Sequence, residues 1–165
     1  MNPIEPTYCP RCGRELPETP TGGRPSCPHD GYTWYPDPKV ATGILATRDG
    51  RLLLVRRNHE PALGRWAFPS GFVDAGEEVE AAAVREAFEE AGVEVRIGGL
   101  IGVYSEAGNP VIFIAYAGTI VGGEPVAGEE AFEVGLFAPD ALPDLAFPHD
   151  AAIVEAWRTR FLDGG

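Results

Sequence analysis

The sequence predicts an α+β fold: a mixed sheet with helices packed on it, preceded by a small cysteine-bearing segment. Three observations carry that expectation. Apolar runs of strand length recur between turn residues. Two longer segments, Glu78–Ala91 and Pro148–Leu162, have helical patterning. All three cysteines fall within residues 1–36, where apolar periodicity is absent.

Residues 1–36 are proline-rich and cannot bury a core of their own, so they need a staple. Residues 37–165 form the main domain, entered through the extended Tyr35–Lys39 (YPDPK). Val40–Thr47 and Leu52–Arg57 are expected strands, joined at Arg48-Asp49-Gly50 because Asp-Gly favours a tight hairpin turn. Trp66-Ala67-Phe68 is a short strand candidate. Glu78–Ala91 is alanine-rich and charged, a composition that suits a helix, and Gly92 stands where helices end in a left-handed residue. Val93–Tyr104, Val111–Ile120 and Val134–Phe137 are further strand candidates. In Pro148–Leu162, residues Ile153, Val154, Trp157 and Phe161 fall on one helical face.

The chain has 165 residues, 44% of them hydrophobic, enough for a real core. Its formal charge of −12 repels a phosphate backbone, which argues against a general nucleic-acid binder. No apolar run approaches the ~18 residues of a membrane span. The start MNPIEPTYCP has neither a basic end nor an apolar run, so the cytoplasm is the expected location. Thiols stay reduced there, and three cysteines suggest a metal before a disulfide.

The chemistry concentrates in Gly71–Val93, GFVDAGEEVEAAAVREAFEEAGV. Residues three and four apart share a helix face, so Glu86, Glu89 and Glu90 project together. Clustered carboxylates repel one another, and a hard divalent cation such as Mg²⁺ relieves the cost while reaching substrate phosphates. Arg85 can pair with Glu89 one turn on and reach back to Glu77. Gly71 and Gly76 let the preceding loop bend tightly. An acidic solvated face is the plainer reading of the glutamates alone; the glycine-flanked turn with Glu77 and Arg85-Glu86 is what makes the arrangement specific.

This segment resembles the Nudix box, G-x5-E-x7-R-E-U-x-E-E-x-G-U, with U a bulky aliphatic. Gly71, Glu77, Arg85, Glu86, Glu89, Glu90, Gly92 and Val93 stand in register, and Ala87 departs at the first U. The resemblance implies a Nudix α/β/α sandwich over about Val40–Phe161 and a pyrophosphohydrolase. It further implies Mg²⁺ (or Mn²⁺) on Glu86, Glu89 and Glu90 with the Gly71 carbonyl, and Glu77 and Arg85 ordering loop and helix. Glu130-x-x-Glu133-Val134 resembles the run that supplies many members with a further acid, which makes Glu130 the expected ligand or general base, with Glu129 and Glu133 behind it.

Arg56 and Arg57 end a strand and could face a phosphate, and Trp66, Tyr104, Phe132 and Phe147 could stack on a nucleobase, although large aromatics more often serve packing. His59 and His149 have no partner pattern and suit surface or capping roles. Cys9-Pro-Arg-Cys12-Gly13 and Cys27-Pro-His-Asp30-Gly31 repeat a C-P-x-x-G frame, with Asp30 where a fourth cysteine would stand. A structural Zn²⁺ on Cys9, Cys12 and Cys27 with Asp30 or His29 is the expected staple. This half resembles the zinc ribbon ahead of Nudix domains in NADH, FAD and ADP-ribose pyrophosphatases. Ile101–Ala117 lacks the S-Q-P-W-P-F-P-x-S stretch of the NADH enzymes, so a small-molecule substrate of the ADP-ribose or FAD type leads. The alternatives are a nucleoside triphosphate pyrophosphohydrolase and a nucleotide-sensing module. A homodimer contact would cover an apolar ribbon surface.

Overall fold

The computed structural model describes residues 6–18 and 23–162. The chain divides into two compact units, Met1–Pro38 with Glu106–Pro110, and Lys39–Ser105 with Val111–Gly165.

The smaller unit contains two knuckles of one design. Gly13 N–H donates to the Cys9 carbonyl at 2.8 Å and Gly31 N–H to the Cys27 carbonyl at 3.0 Å. Both glycines take positive φ, 70° and 72°, which lets each turn close without a Cβ clash. Bridges Tyr8–Glu15 and Ser26–Thr33 hold the strand-like arms together. Cys9, Leu16 and Cys27 are buried there, with Tyr32 packed on them.

In the larger unit β1 (Lys39–Arg48) and β2 (Arg51–Arg57) form the expected hairpin, with Asp49 at φ 51° and Gly50 at φ 73° in its turn. Then come β3 (Trp66–Ala67), β4 (Ser70–Phe72), helix α1 (Val79–Ala91), β5 (Glu94–Tyr104), β6 (Val111–Gly122), β7 (Ala131–Phe137) and helix α2 (Asp150–Trp157). The spatial order is β3-β2-β1-β6-β5, with β4 paired to β1 and β7 to β2. Of the strand pairs among the described residues, β1 with β6 is parallel and the others are antiparallel, so the sheet is mixed.

Both faces of the sheet are covered, which explains the unbroken buried run in the middle of β1. On one face Ala83, Ala87 and Ala91 of α1 pack with Ile44, Leu53, Val55 and Tyr116. The small Ala87 is fully buried. On the other face Ile153, Val154 and Trp157 of α2 pack with Leu45, Leu52, Leu54 and Phe68. This is an α/β/α sandwich.

The elements differ from expectation at β4 and at the last helix, and β7 begins three residues before the expected Val134, at Ala131. Gly71 lies in strand β4 and not in a loop; the bend falls at Gly76, φ 86°. Strand β4 pairs with β1 through Thr42–Gly71, a long-range contact that three residues of local pattern cannot announce. The last helix is shorter than Pro148–Leu162. Regular α-geometry ends at Trp157 and a wider π-turn, Arg158–Leu162, follows, in which Phe161 stays 38% exposed.

Candidate active site and cysteine cluster

Helix α1 begins after Glu78, whose extended backbone makes it the N-cap, and ends at Gly92 in the left-handed conformation, φ 66°. Between these limits the 3.6-residue repeat turns the alanines to the sheet and sets Glu86 and Glu90 one turn apart. Glu90 is 6% exposed. One of its oxygens accepts the Ser70 backbone N–H at 3.0 Å, so β4 closes over the helix at this point. A Cβ on Gly71 would land among the carboxylate atoms of Glu86. Glycine is required there because backbone and carboxylate share that space.

Burial sets the electrostatics. It pushes the Glu90 carboxyl up to about 7, against the Ser70 N–H and with Glu86 adding repulsion. Burial also raises Glu86, with Arg85 opposing. Arg85 is the hub of the loop. It donates to Glu77 through Nε at 2.8 Å and NH2 at 3.0 Å, to Glu86 at 2.8 Å, to Glu89 at 2.9 Å and to the Phe72 carbonyl at 3.1 Å. The Arg85 guanidinium, helped by the Asp74 N–H, holds Glu77 down at about 2. Glu89 is the more exposed acid, its side chain 56% accessible against 12% for Glu86.

The loop after β6 reaches the C-terminal end of α1. Gly128 N–H donates to the Glu90 carbonyl at 3.0 Å, and a Cβ on Gly128 would collide with the Glu89 carbonyl. Glu130 follows, and its negative charge raises both Glu86 and Glu90. Of the other acids of this loop, Glu133 instead pairs with Arg56 at 3.1 Å, and Glu129 offers its backbone carbonyl to Asn58 Nδ2.

Among the expected substrate contacts, Arg57 is buried and its charge is felt by Glu90, whereas Arg56 lies over the Phe132 ring at 5.5 Å. Trp66 packs edge-on against Phe137 at 4.8 Å, and Tyr104 joins the same α2-side core, so both serve the packing role ordinary for large aromatics. Phe132 is 55% exposed and is the extra residue of a bulge where Arg56 faces Glu133 and Arg57 faces Ala131. Phe147 stacks on His149. His59 does have partners, Arg57 NH2 at 2.8 Å and Asn58 Oδ1 at 3.3 Å, and the Glu130 carboxylate lies 4.0 Å from its Nε2. Ser70 and Gly128 carried no sequence signal because each acts through its backbone N–H, and Asn58 because its amide and its N–H reach Glu129 and Glu130, far along the chain.

In the smaller unit, Cys9, Cys12, Cys27 and Asp30 bring their ligand atoms within 4.8 Å of one another. His29 is exposed and outside this group. The thiols form no disulfide, with Cys12 Sγ and Cys27 Sγ 3.7 Å apart. The Tyr32 N–H holds Asp30 down at about 2, so it stands ionised. Although the Arg14 N–H lowers it, burial and the neighbouring thiols push Cys12 up to about 11. Three sulfurs and one carboxylate at this spacing could hold a tetrahedral metal.

A sandwich of this kind, with an acidic helix behind a glycine strand and an arginine-locked loop, defines a hydrolase of phosphoric anhydrides. The sequence matches the NUDIX domain over residues 37–157. An ADP-ribose pyrophosphatase of Methanocaldococcus jannaschii is 39% identical over 131 residues, covering 77% of this chain and 78% of that protein. The NAD-capped RNA hydrolase NudC of Pseudomonas aeruginosa is 33% identical over 139 residues, 84% of this chain but 50% of that relative's length. The crystal structure of a NUDIX hydrolase from Nitrosomonas europaea superposes with a TM-score of 0.86 at 29% identity, covering 96% of this chain and 93% of that one. The chain belongs to the Nudix family and is a pyrophosphohydrolase of it.

Proposed function

We propose that the protein hydrolyses the pyrophosphate bond of a nucleoside diphosphate derivative in a Mg²⁺- or Mn²⁺-dependent reaction, with ADP-ribose the leading substrate and FAD next. One observation carries the metal requirement: Glu90, buried and pushed up to about 7, stands beside the likewise raised Glu86. Carboxylates that repel one another on successive turns of a helix fit a hard cation, which would take the place of the proton. Glu86, Glu89 and Glu90, with the Gly71 backbone against Glu86, are the residues that would hold it. When bound, such an ion neutralises pyrophosphate oxygens and acidifies a water.

The chain's own groups supply the rest. Glu130 accepts the proton of the water that attacks phosphorus. Arg57 opposes the negative charge gathering on the phosphate, and a nucleoside monophosphate leaves. Arg85 and Glu77 keep Glu86 and Glu89 in place and do not react. Residues 1–36 act as a zinc-ribbon-like domain whose Zn²⁺ sits on Cys9, Cys12, Cys27 and Asp30, a closed set without an open position for chemistry. Residues 37–165 are the hydrolase.

The choice of ADP-ribose rests on the Methanocaldococcus relative. A capped RNA shares the dinucleotide linkage, but a net charge of −12 opposes the polyanion behind it. The test is hydrolysis of ADP-ribose, FAD, NADH and a set of nucleoside triphosphates with Mg²⁺, with products identified. AMP from ADP-ribose is expected. Inorganic pyrophosphate from triphosphates, with ADP-ribose untouched, would overturn the assignment.

A further inference from the structure

We infer that Asn58 and His59 are positioning residues that hold the turn carrying Glu130 against the C-terminal end of the acidic helix, an inference that rests on the reading of Glu130 as the base. The argument begins at Arg57. Its guanidinium is fixed by three contacts: Nε donates to the Pro61 carbonyl at 2.9 Å, NH2 meets His59 Nε2 at 2.8 Å, and the group lies over the Phe147 ring at 5.2 Å. A guanidinium only donates. His59 Nε2 therefore accepts, and the ring proton sits on Nδ1.

That tautomer settles the next link. Nδ1–H donates to Asn58 Oδ1 at 3.3 Å, which orients the amide so that Nδ2 faces the Glu129 carbonyl and donates to it at 2.7 Å. The Asn58 backbone N–H donates to the Glu130 carbonyl at 3.2 Å. One direction of donation thus runs from Arg57 through His59 and Asn58 to the peptide that carries Glu130. The far side of the same turn is held by Gly128 N–H on the Glu90 carbonyl, with no room for a Cβ beneath it. A four-residue turn tied at both ends to the strand and to the metal-facing helix has little freedom. Its glutamate keeps a 70% exposed side chain, open to a water, with the carboxylate 4.0 Å from His59 Nε2. In a reaction that depends on a proton transfer, displacement of the base by about an ångström costs on the order of 10²-fold in rate.

The experiment uses the full chain with ADP-ribose and saturating Mg²⁺. Glu130→Gln alone tests the reading beneath the proposal and is expected to lower kcat about 10²-fold. Asn58→Ala and His59→Leu are expected to lower kcat at least about tenfold with KM nearly unchanged and the melting temperature close to wild type. His59→Asn, which restores a donor at the Nδ1 position, is expected to recover most of the His59→Leu loss. The deciding measurement is the double variant Asn58→Ala/Glu130→Gln: if Asn58 acts through Glu130, it is no slower than Glu130→Gln alone. Additive losses, or an Asn58→Ala effect confined to KM or stability, overturn the positioning role while leaving Glu130 as base. An undiminished Glu130→Gln overturns the base reading and the positioning role with it.

Discussion

The Ser70 backbone N–H donates to the Glu90 carboxylate at 3.0 Å and so ties strand β4 to helix α1 at the most deeply buried acid of the site. One hydrogen bond is poor compensation for a buried charge, and without a cation Glu90 is pushed up to about 7.

The pH dependence follows from that value. A carboxyl raised from 4.5 to about 7 on folding contributes stability that is full below pH 4.5 and lost as the pH rises through 7. A cation on Glu90 offsets that loss. Mg²⁺ is therefore expected to raise the melting temperature more at about pH 8 than at about pH 6, and to displace close to one proton when it binds at the lower pH. Calorimetry in buffers of different ionisation enthalpy reads the proton. Equal thermal shifts at both pH values, with no proton released, would refute the placement of the ion on Glu90.

Arg85 and Glu77 give the opposite sign. Glu77 is held down at about 2 by the Arg85 guanidinium, so its contribution is present above 4.5 and lost as the pH falls through 2. Arg85→Gln is expected to lower the melting temperature at neutral pH, with a deficit that narrows as the pH approaches about 3. It is also expected to lower kcat, since Glu86 and Glu89 lose their common donor. Thermal melts across pH check the first claim. A deficit that does not change with pH would mean that Arg85 acts through packing alone.

Gly71→Ala tests the meeting of backbone and carboxylate. The new Cβ would occupy the space of the Glu86 carboxylate, whose side chain can swing away while β4 keeps its pairing with Thr42. The expected result is a folded protein with Mg²⁺ affinity and kcat reduced about 10- to 100-fold. Circular dichroism and metal titration separate this from unfolding. Wild-type metal affinity would show that Glu86 is not a ligand.

How much of this was legible in the sequence depended on distance along the chain. The α1 positions announce themselves because a helix places residues three and four apart together, so Arg85, Glu86, Glu89 and Glu90 could be grouped from spacing alone. The hairpin at Asp49-Gly50 and the cap at Gly92 were equally local. Strand β4 and the contacts of Ser70 were not, because their meaning comes from Thr42 and Glu90, far away in sequence. His59 had no visible partner because Arg57 reaches it only where the chain folds back through Pro61. The contacts of Trp66 with Phe137 and of Tyr104 with the α2-side core likewise join residues that no local pattern brings together.

The cysteine cluster yields the last prediction. Each knuckle presents its first cysteine and the residue three further on: Cys9 with Cys12, and Cys27 with Asp30. The matching Gly13 and Gly31 turns put Asp30 where the repeat would place a thiol, and its carboxylate accepts from Cys9 Sγ at 3.5 Å. Zinc would exchange these weak thiol contacts for four strong bonds and release the protons of the thiols. Protein purified without chelator is expected to carry about one zinc per chain. Cys12, the exposed thiol of the three, is expected to react with a thiol reagent after zinc is stripped, slowly at neutral pH because its thiol is pushed up to about 11 and faster in alkali, and to be protected when zinc is restored. Asp30→Ala should lose the metal, and Asp30→Cys should retain it more tightly, since thiolate is the better zinc ligand. Elemental analysis and thiol titration read all of these outcomes, and a Cys12 equally reactive with and without zinc would remove the site.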